Sequence, residues 1–464
     1  MAGPHGGSRR GATGMLLGIV LAALGVLWPA PAGAVASPAP AAGWTVVSSP
    51  NPSSKASLDA VSCFTATGCW AVGVESGSGG TEVPFTEETA GAGWSIISSP
   101  QVGGALQGVS CATATSCQAV GVQGSTTIWG APLAERFANG GWSLLSTPAT
   151  SSGNGDLTGV ACVTASDCWA VGTQVTSSNG AVRAPLVEHY NGGSWSISAV
   201  ASVDGGLSGV TCVTASDCWA VGYQEIAGNQ TGLVEQYSSG AWTEVSSPVV
   251  SAYLDSAACL SASGCWAGGE DVMEAWNGTS WQVAAHPASL LSGMACIAAV
   301  SQCWAVGGTS DVLVEQYAGG AWAVVGGVVT PQPTGFSFAE FLGVACGASS
   351  ECVAVGSTDE SVSGSSSGQT LVEDYTVAPV SPTPSVTPSA TPSAAPTGQT
   401  SPSLSATPTG AATTSPSATP GPAPAGSASA GGFPWLVVLL VLVVVVLGAG
   451  AAWLALVRRP LPRR

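Results

Sequence analysis

Fourteen cysteines stand in seven close pairs: Cys63/Cys69, Cys111/Cys117, Cys162/Cys168, Cys212/Cys218, Cys259/Cys265, Cys296/Cys303 and Cys346/Cys352. The spacing is C-x5-C six times and C-x6-C once, with no cysteine left over. Three chemistries use paired thiols. Zinc prefers a shorter spacing with a second pair or histidines nearby, and only His189 and His286 lie outside the N-terminal segment. A redox dithiol wants C-x-x-C, usually in one copy. A structural disulfide needs an oxidising compartment. A second residue type recurs with the same period, as Glu87, Glu135, Glu188, Glu235, Glu274, Glu315 and Glu373, in L-V-E-x-Y context. Such a set could form an acidic ring for Ca²⁺, or supply two members as acid and base.

The chain ends decide the compartment. Arg9 and Arg10 precede an apolar run, Met15–Trp28, and two A-x-A sites follow within Ala32–Ala36. Residues 1–36 read as a secretory signal peptide; the arginine pair lacks the apolar residues usual after a twin-arginine signal. Near the other end, residues 433–457 read as a transmembrane helix, because Trp435–Val457 is 23 residues without a charge, enough to span a bilayer. Arg458, Arg459, Arg463 and Arg464 follow in the tail 458–464, which places the C-terminus in the cytoplasm and the body outside. Residues 378–432 are almost wholly Pro, Ser, Thr, Ala and Gly. Such a segment cannot bury enough apolar surface to fold, and its proline content makes it a semi-rigid stalk. The expectation is a single-pass cell-membrane protein with an extracellular body, and the cysteines of an exported body read as seven intra-repeat disulfides.

The elements that hold these residues repeat. Leu157-Thr158-Gly159-Val160-Ala161-Cys162 alternates, a short polar turn follows, and Cys168-Trp169-Ala170-Val171-Gly172 returns. This is the pattern of a hairpin with the disulfide across its open turn. Pro185–Tyr190 and Trp195–Ser198 supply two further strands. Repeats of about 48 residues made of four short strands have the size of a propeller blade. The fourth strand's tryptophan occurs as Trp44, Trp94, Trp142, Trp195, Trp242, Trp281 and Trp322. Trp44 precedes the first cysteine pair, and the last repeat has no such strand. The fold class expected for residues 43–377 is therefore all-β, a seven-bladed β-propeller whose N-terminal strand completes the last blade and removes two open sheet edges.

The pattern L-x-G-V-x-C…C-W-A-V-G…G-G-S-W resembles the repeats of photosystem II stability/assembly factor-like propellers and of the wider sialidase-like, Asp-box group. Asn191-Gly192-Gly193-Ser194-Trp195 looks like a degenerate Asp-box turn whose acidic residue is replaced. The cysteine pair is an addition to that pattern. The composition is similar to that of secreted actinobacterial proteins. The resemblance implies the fold; propellers host unrelated functions.

Several functions are excluded. A sialidase-type site needs three arginines, and the body has only Arg136 and Arg183. With Lys55 they are its whole basic complement against 26 acidic residues, leaving −23. That charge repels phosphate backbones, so nucleic acid is not a partner. No cofactor or metal is expected. Third strands lie away from a propeller's axis, and a catalytic site needs unlike residues. The glutamates therefore read as structural, each accepting hydrogen bonds from a neighbouring blade's backbone or indole. Trp70, Trp169, Trp219, Trp266 and Trp304, each directly after a second cysteine, read as core, with Gln118 and Val353 replacing them in two repeats.

Function is expected where the repeats differ. The cysteine turns and the glycine turns before the tryptophan are short and share one face. The second-to-third-strand loops and the inter-blade connectors vary and share the other, and loops on a rigid scaffold commonly carry recognition. Trp129, Tyr223, Tyr253, Phe336 and Phe338 are the aromatic candidates there for gripping a protein or stacking on a polysaccharide. The function expected is a non-catalytic binding or scaffold propeller, the alternative being a carboxylate-dependent glycan hydrolase or lyase.

Overall fold

A computed structural model describes residues 43–376, apart from 92, 125–129, 178–181, 250, 288–289, 309–310, 326–335, 348–350 and 363–364. The segments read as signal peptide, stalk and membrane helix lie outside the described residues, as does Trp129. Among the described residues no helix is long and apolar enough to cross a membrane.

The alternating pattern of each repeat becomes four antiparallel strands. In the third repeat these are Gly155–Thr164, Asp167–Val175, Arg183–Tyr190 and Trp195–Ile197, hydrogen-bonded in chain order. Cys162 lies directly opposite Cys168, so the bond closes across the hairpin. All seven pairs are bonded as the spacing implies, Cys63–Cys69, Cys111–Cys117, Cys162–Cys168, Cys212–Cys218, Cys259–Cys265, Cys296–Cys303 and Cys346–Cys352, each with Cα atoms 4.0 Å apart. The third and fourth strands join through turns that need positive φ. Asn139-Gly140, Ser239-Gly240 and Gly319-Gly320 supply both such positions, as two-residue hairpins require. In the degenerate Asp-box turn the Asn191 side chain accepts the backbone amides of Gly193 and Ser194 at 3.1 and 3.2 Å. Asn277 does the same for Thr279 and Ser280. An amide oxygen thus does the work of the missing carboxylate.

Blades 1 to 6 occupy residues 56–96, 104–145, 155–197, 205–244, 254–283 and 291–324. Blade 7 takes its inner three strands from residues 336–376 and its outer strand from Gly43–Val46, which pairs antiparallel with residues 373–376. The ring is therefore closed by strand exchange between the two ends of the propeller, as expected. Gly43 lies opposite Thr376, so both ends leave on the face that carries the cysteine turns.

First strands line the axis. Three residues from each of the seven bound a channel of about 210 Å³. A register shift after the leucine or phenylalanine of each first strand, as between Leu157 and Gly159, bulges each of these strands toward the axis. There the backbones nearly touch: a Cβ on Gly159 would meet the Ser208 carbonyl at 2.9 Å, and one on Gly209 the Asp255 carbonyl at 2.8 Å.

The seams between blades are filled by rings. Trp70 of blade 1 meets Phe137 and Trp142 of blade 2, with centroids 4.5 and 5.2 Å away. The same three-ring wedge joins blades 3 and 4 through Trp169, Tyr237 and Trp242. Trp219, Trp276 and Trp281 join blades 4 and 5. Trp266, Tyr317 and Trp322 join blades 5 and 6. Trp304, Tyr375 and Trp44 join blades 6 and 7. The tryptophan after each second cysteine is thus core, as its pattern implies.

The disulfides lie across the hairpin turns as the spacing implies, and they are also part of these seams. The first cysteine of each pair is half-buried, but the second is buried in every blade. Cys69, Cys117, Cys168, Cys218, Cys265 and Cys303 are fully buried, and Cys352 nearly so. Cys117 packs in one cluster with Trp70 of the preceding blade, Cys218 with Trp169, Cys265 with Trp219 and Cys303 with Trp266. The physical reason is strand alternation. The side chain of the second cysteine points to the sheet face opposite its own blade's tryptophan, and that face is covered by the neighbouring blade.

Two stability outcomes follow. Trp44→Ala removes a buried ring and loosens the closing strand; it is expected to cost about 3–5 kcal/mol in denaturant unfolding. Replacing Cys162 and Cys168 together by alanine opens a loop of about seven residues and should cost roughly 2 kcal/mol, with the other six bonds intact in non-reducing mass mapping.

Candidate functional site

The cysteines, residues of chemical promise in the sequence, form no reactive or ligand-binding site. No described cysteine is free. The sulfurs of Cys117, Cys218, Cys265 and Cys303 belong to fully buried residues, so these are framework residues that no ligand reaches.

The third-strand glutamates are fully buried as well. Each points toward the connector that arrives from the preceding blade. Ser49 donates to Glu87 at 2.8 Å, Ser99 to Glu135 at 2.7 Å and Ser247 to Glu274 at 3.0 Å. The Ala201 amide donates to Glu235 at 3.2 Å, and His286 Nδ1 lies 3.6 Å from Glu315. The donors are connector hydroxyls and an amide, and an imidazole stands beside Glu315. The indoles expected in this role do not take it: Trp44, Trp142 and Trp195 Nε1 have no partner among the described residues. At blade 3 the connector residue is Thr147, whose hydroxyl donates instead to the Pro132 carbonyl, and both Glu188 oxygens lack a hydrogen-bond partner among the described residues. Burial pushes Glu87, Glu135, Glu235 and Glu274 up to about 7, against the hydrogen bonds they accept. Without an opposing bond, burial takes Glu188 and Glu373 to about 8.

The variable-loop face is different, because its groups are unlike from blade to blade. On blades 3 and 4, Arg183 Nη1 donates to the Tyr223 hydroxyl at 3.0 Å, and its backbone amide donates to Asp204 at 3.3 Å. Glu225 adds negative charge beside the guanidinium. Asp156 accepts the Thr173 amide at 3.2 Å; burial raises it to about 6 despite that bond and Arg183. On blade 5, Tyr253 is hydrogen-bonded to Glu270 beside Asp255, and burial followed by these two carboxylates raises its phenol. Asp255 lines the channel and is pushed up to about 7, by burial first and Glu270 second. Asp59, also on the channel, is raised to about 6 by burial, with Glu340 and Glu82 adding to the rise and the Ser57 hydroxyl opposing it.

The aromatic candidates are distributed over this face. Tyr223 belongs to the second strand of blade 4, Tyr253 directly precedes the first strand of blade 5, and Phe338 is half-buried at the start of blade 7. Phe336 is placed only as backbone of that strand, opposite Glu360. Tyr223 and Tyr253 are each tied into a charged cluster, and no ring contact joins them or Phe338 among the described residues. Sequence reasoning missed the carboxylates Asp59, Asp156 and Asp255. For Asp59 and Asp255 a signal was present: the residue after the first-strand leucine changes from repeat to repeat, and the bulge presents it to the channel, whereas Asp156 precedes that leucine. Among the described residues, no group of three or more His, Cys, Asp or Glu side chains is arranged to hold a metal ion.

No family model and no curated protein matches the chain. Among solved structures it is similar to the WD40 β-propeller domain of Doa1, at 11% identity and a TM-score of 0.48, over 72% of this chain and 97% of that one. It is also similar to YCF48 bound to D1 peptide, at 14% identity and a TM-score of 0.46, over 75% of this chain and 100% of that one.

The buried glutamates make stability depend on pH. Their ordinary value is near 4.5 and their folded value about 7 to 8. Between these limits the folded chain holds protons that the unfolded chain has released, so stability falls as pH rises across the window. The melting temperature is expected to be higher at pH 5 than at pH 8.5. Glu188→Gln removes one such proton and should flatten the slope by up to about 1.4 kcal/mol per pH unit.

Proposed function

We propose that this protein is a cell-surface-anchored, non-catalytic binding propeller that recognises an extracellular protein through its variable-loop face. One observation carries the reading: at the channel rim, carboxylates gather in three separate clusters, around Arg183, around Tyr253 and around Asp59. Only Lys55 and Arg183 offset them on this face. Such a rim favours a basic protein surface over a neutral glycan, and its field speeds encounter with that surface. The paired ends of the propeller, Gly43 and Thr376, lie on the opposite face. The signal peptide, stalk and single membrane helix read in the sequence complete the proposal, with the propeller outside and the C-terminus inside the cell.

A second reading has one observation in its favour. Asp255, Glu270 and Tyr253 bring together a carboxyl held near neutrality, a second carboxylate and a phenol. These are groups a glycan hydrolase or lyase uses.

The test is binding of the oxidised ectodomain, residues 37–375, to extracellular proteins and cell-wall polysaccharides, with reducing ends assayed in the same samples. A protein ligand should bind saturably and weaken steeply with salt. Tyr223→Ala is expected to weaken it by about tenfold, the size of one lost interface anchor, whereas Arg183→Ala, which removes one of the face's two cations, should strengthen it. New reducing ends that disappear in Asp255→Asn would establish the hydrolase instead. Saturable binding to a polysaccharide alone would replace the protein ligand with a glycan.

A further inference from the structure

The seam between blade 7 and blade 1 departs from the other ring-filled seams. The residue after the second cysteine, tryptophan in five blades, is Val353 here. The residue two after the buried glutamate is Phe, Tyr or Trp in blades 2 to 7, and Thr89 in blade 1. Of the three rings that fill a seam, only Trp94 is left. The missing rings leave a cavity of about 200 Å³, which opens on the cysteine-turn face. Trp94 and Val353 form its apolar wall, and Thr89, Glu351 and Asp374 stand among its lining.

Those two carboxylates also depart from the repeat. In blade 3 the residue before the second cysteine, Asp167, meets His189 at 2.8 Å. In blade 4 the equivalent Asp217 accepts Gln236 at 3.2 Å. Blade 7 has an acid at both positions, Glu351 and Asp374. The donor that completes the pair elsewhere is replaced by a second acceptor. Asp374 Oδ1 is buried and has no hydrogen-bond partner among the described residues. Burial, and after it Glu351, raise the Asp374 carboxyl above its ordinary range.

We propose that this seam cavity is a binding site for an organic cation with a flat, apolar body, the body replacing the absent rings against Trp94 and the charge meeting Glu351 and Asp374. A carboxylate pair in a half-enclosed apolar site selects a positive donor, and an indole face adds attraction for a cation. Among the described residues no basic side chain lines the cavity. Of the body's three basic residues, Arg136 is engaged with Tyr190 on blade 3 and Arg183 with Tyr223 on blade 4. Lys55 lines a separate cavity on the variable-loop face. No further basic residue follows Tyr375 until Arg458. The cation comes from outside, as an arginine-like side chain or a free aromatic amine. The site stands on the opposite face from the proposed protein-binding surface and does not depend on it.

The test is calorimetric titration of the oxidised full chain with benzamidine, a planar aromatic cation, and with benzamide, its neutral counterpart. Benzamidine is expected to bind one to one and at least tenfold more tightly than benzamide. Val353→Trp, which refills the seam, should abolish binding. Asp374→Asn should weaken it at least tenfold, and Asp217→Asn on blade 4 should leave it unchanged. A Gly-Gly-Arg-Gly-Gly peptide in the same assay separates the sources: tighter binding than benzamidine assigns a protein side chain, and weaker binding a free amine. Absence of saturable benzamidine binding, equal binding of benzamide, or binding that survives Val353→Trp overturns the proposal. If Val353→Trp fails to fold, the Asp374→Asn result decides it.

Discussion

Every blade here is a twisted sheet with two apolar faces, and neither face can be buried by the blade itself. Burial is supplied only by the blades on either side, so the whole fold depends on seam packing around a closed ring. A four-stranded sheet of this size left with one open face would expose its tryptophans to water and its edges to other chains. The three-ring wedges meet this demand with side chains large enough to span the gap as the blades diverge from the axis. Near the axis the gap vanishes, and glycine replaces the ring because backbone meets backbone. The pairing of residues 43–46 with 373–376 makes the ring continuous. Without it the outer strand of blade 7, and with it Trp44 in the seam to blade 6, would be lost.

The seams also account for the buried glutamates. A connector must leave the outer edge of one blade and reach the axis of the next, and it crosses the third strand of that blade on the way. A carboxyl at that crossing accepts a hydroxyl or amide from the connector. Four of the seven crossings show such a contact among the described residues, and at a fifth His286 lies beside Glu315. Burial makes the neutral form of these groups cheaper than the charged form. Repetition of one chemistry seven times gives a scaffold, and the disulfide of each hairpin stiffens it further, with one of its two sulfurs sunk in the seam.

Against this regular frame, departures acquire meaning. On the variable-loop face they accumulate as charged clusters and aromatic residues presented from different blades. On the cysteine-turn face they concentrate at one seam, where Val353 and Thr89 stand in place of rings and Glu351 and Asp374 in place of a donor–acceptor pair. A closed wheel keeps these two regions rigidly apart. Both can be occupied together, and neither needs the other to form.

Sequence alone determined the disulfide pairs, the blade count, the strand order within a blade and the closing role of Trp44, because each is written in local spacing repeated seven times. It also identified the tryptophans after each second cysteine as core, since burial of one face is a matter of period-two alternation. What it could not settle was contact between repeats, which spacing does not encode. Cys117, Cys218, Cys265 and Cys303 read as turn staples until the preceding blade's tryptophan covers them. The partners of Glu87, Glu135, Glu235 and Glu274 were decided in three dimensions, by a serine or backbone amide of the preceding blade's connector, where sequence pointed equally to an indole. The inward turn of Asp59 and Asp255 came from bulges and the ring, and so did the separation of Tyr223, Tyr253 and Phe338 onto three blades. The cavity beside Trp94 depends on two substitutions far apart in the chain, Thr89 and Val353, which only ring closure brings to one seam.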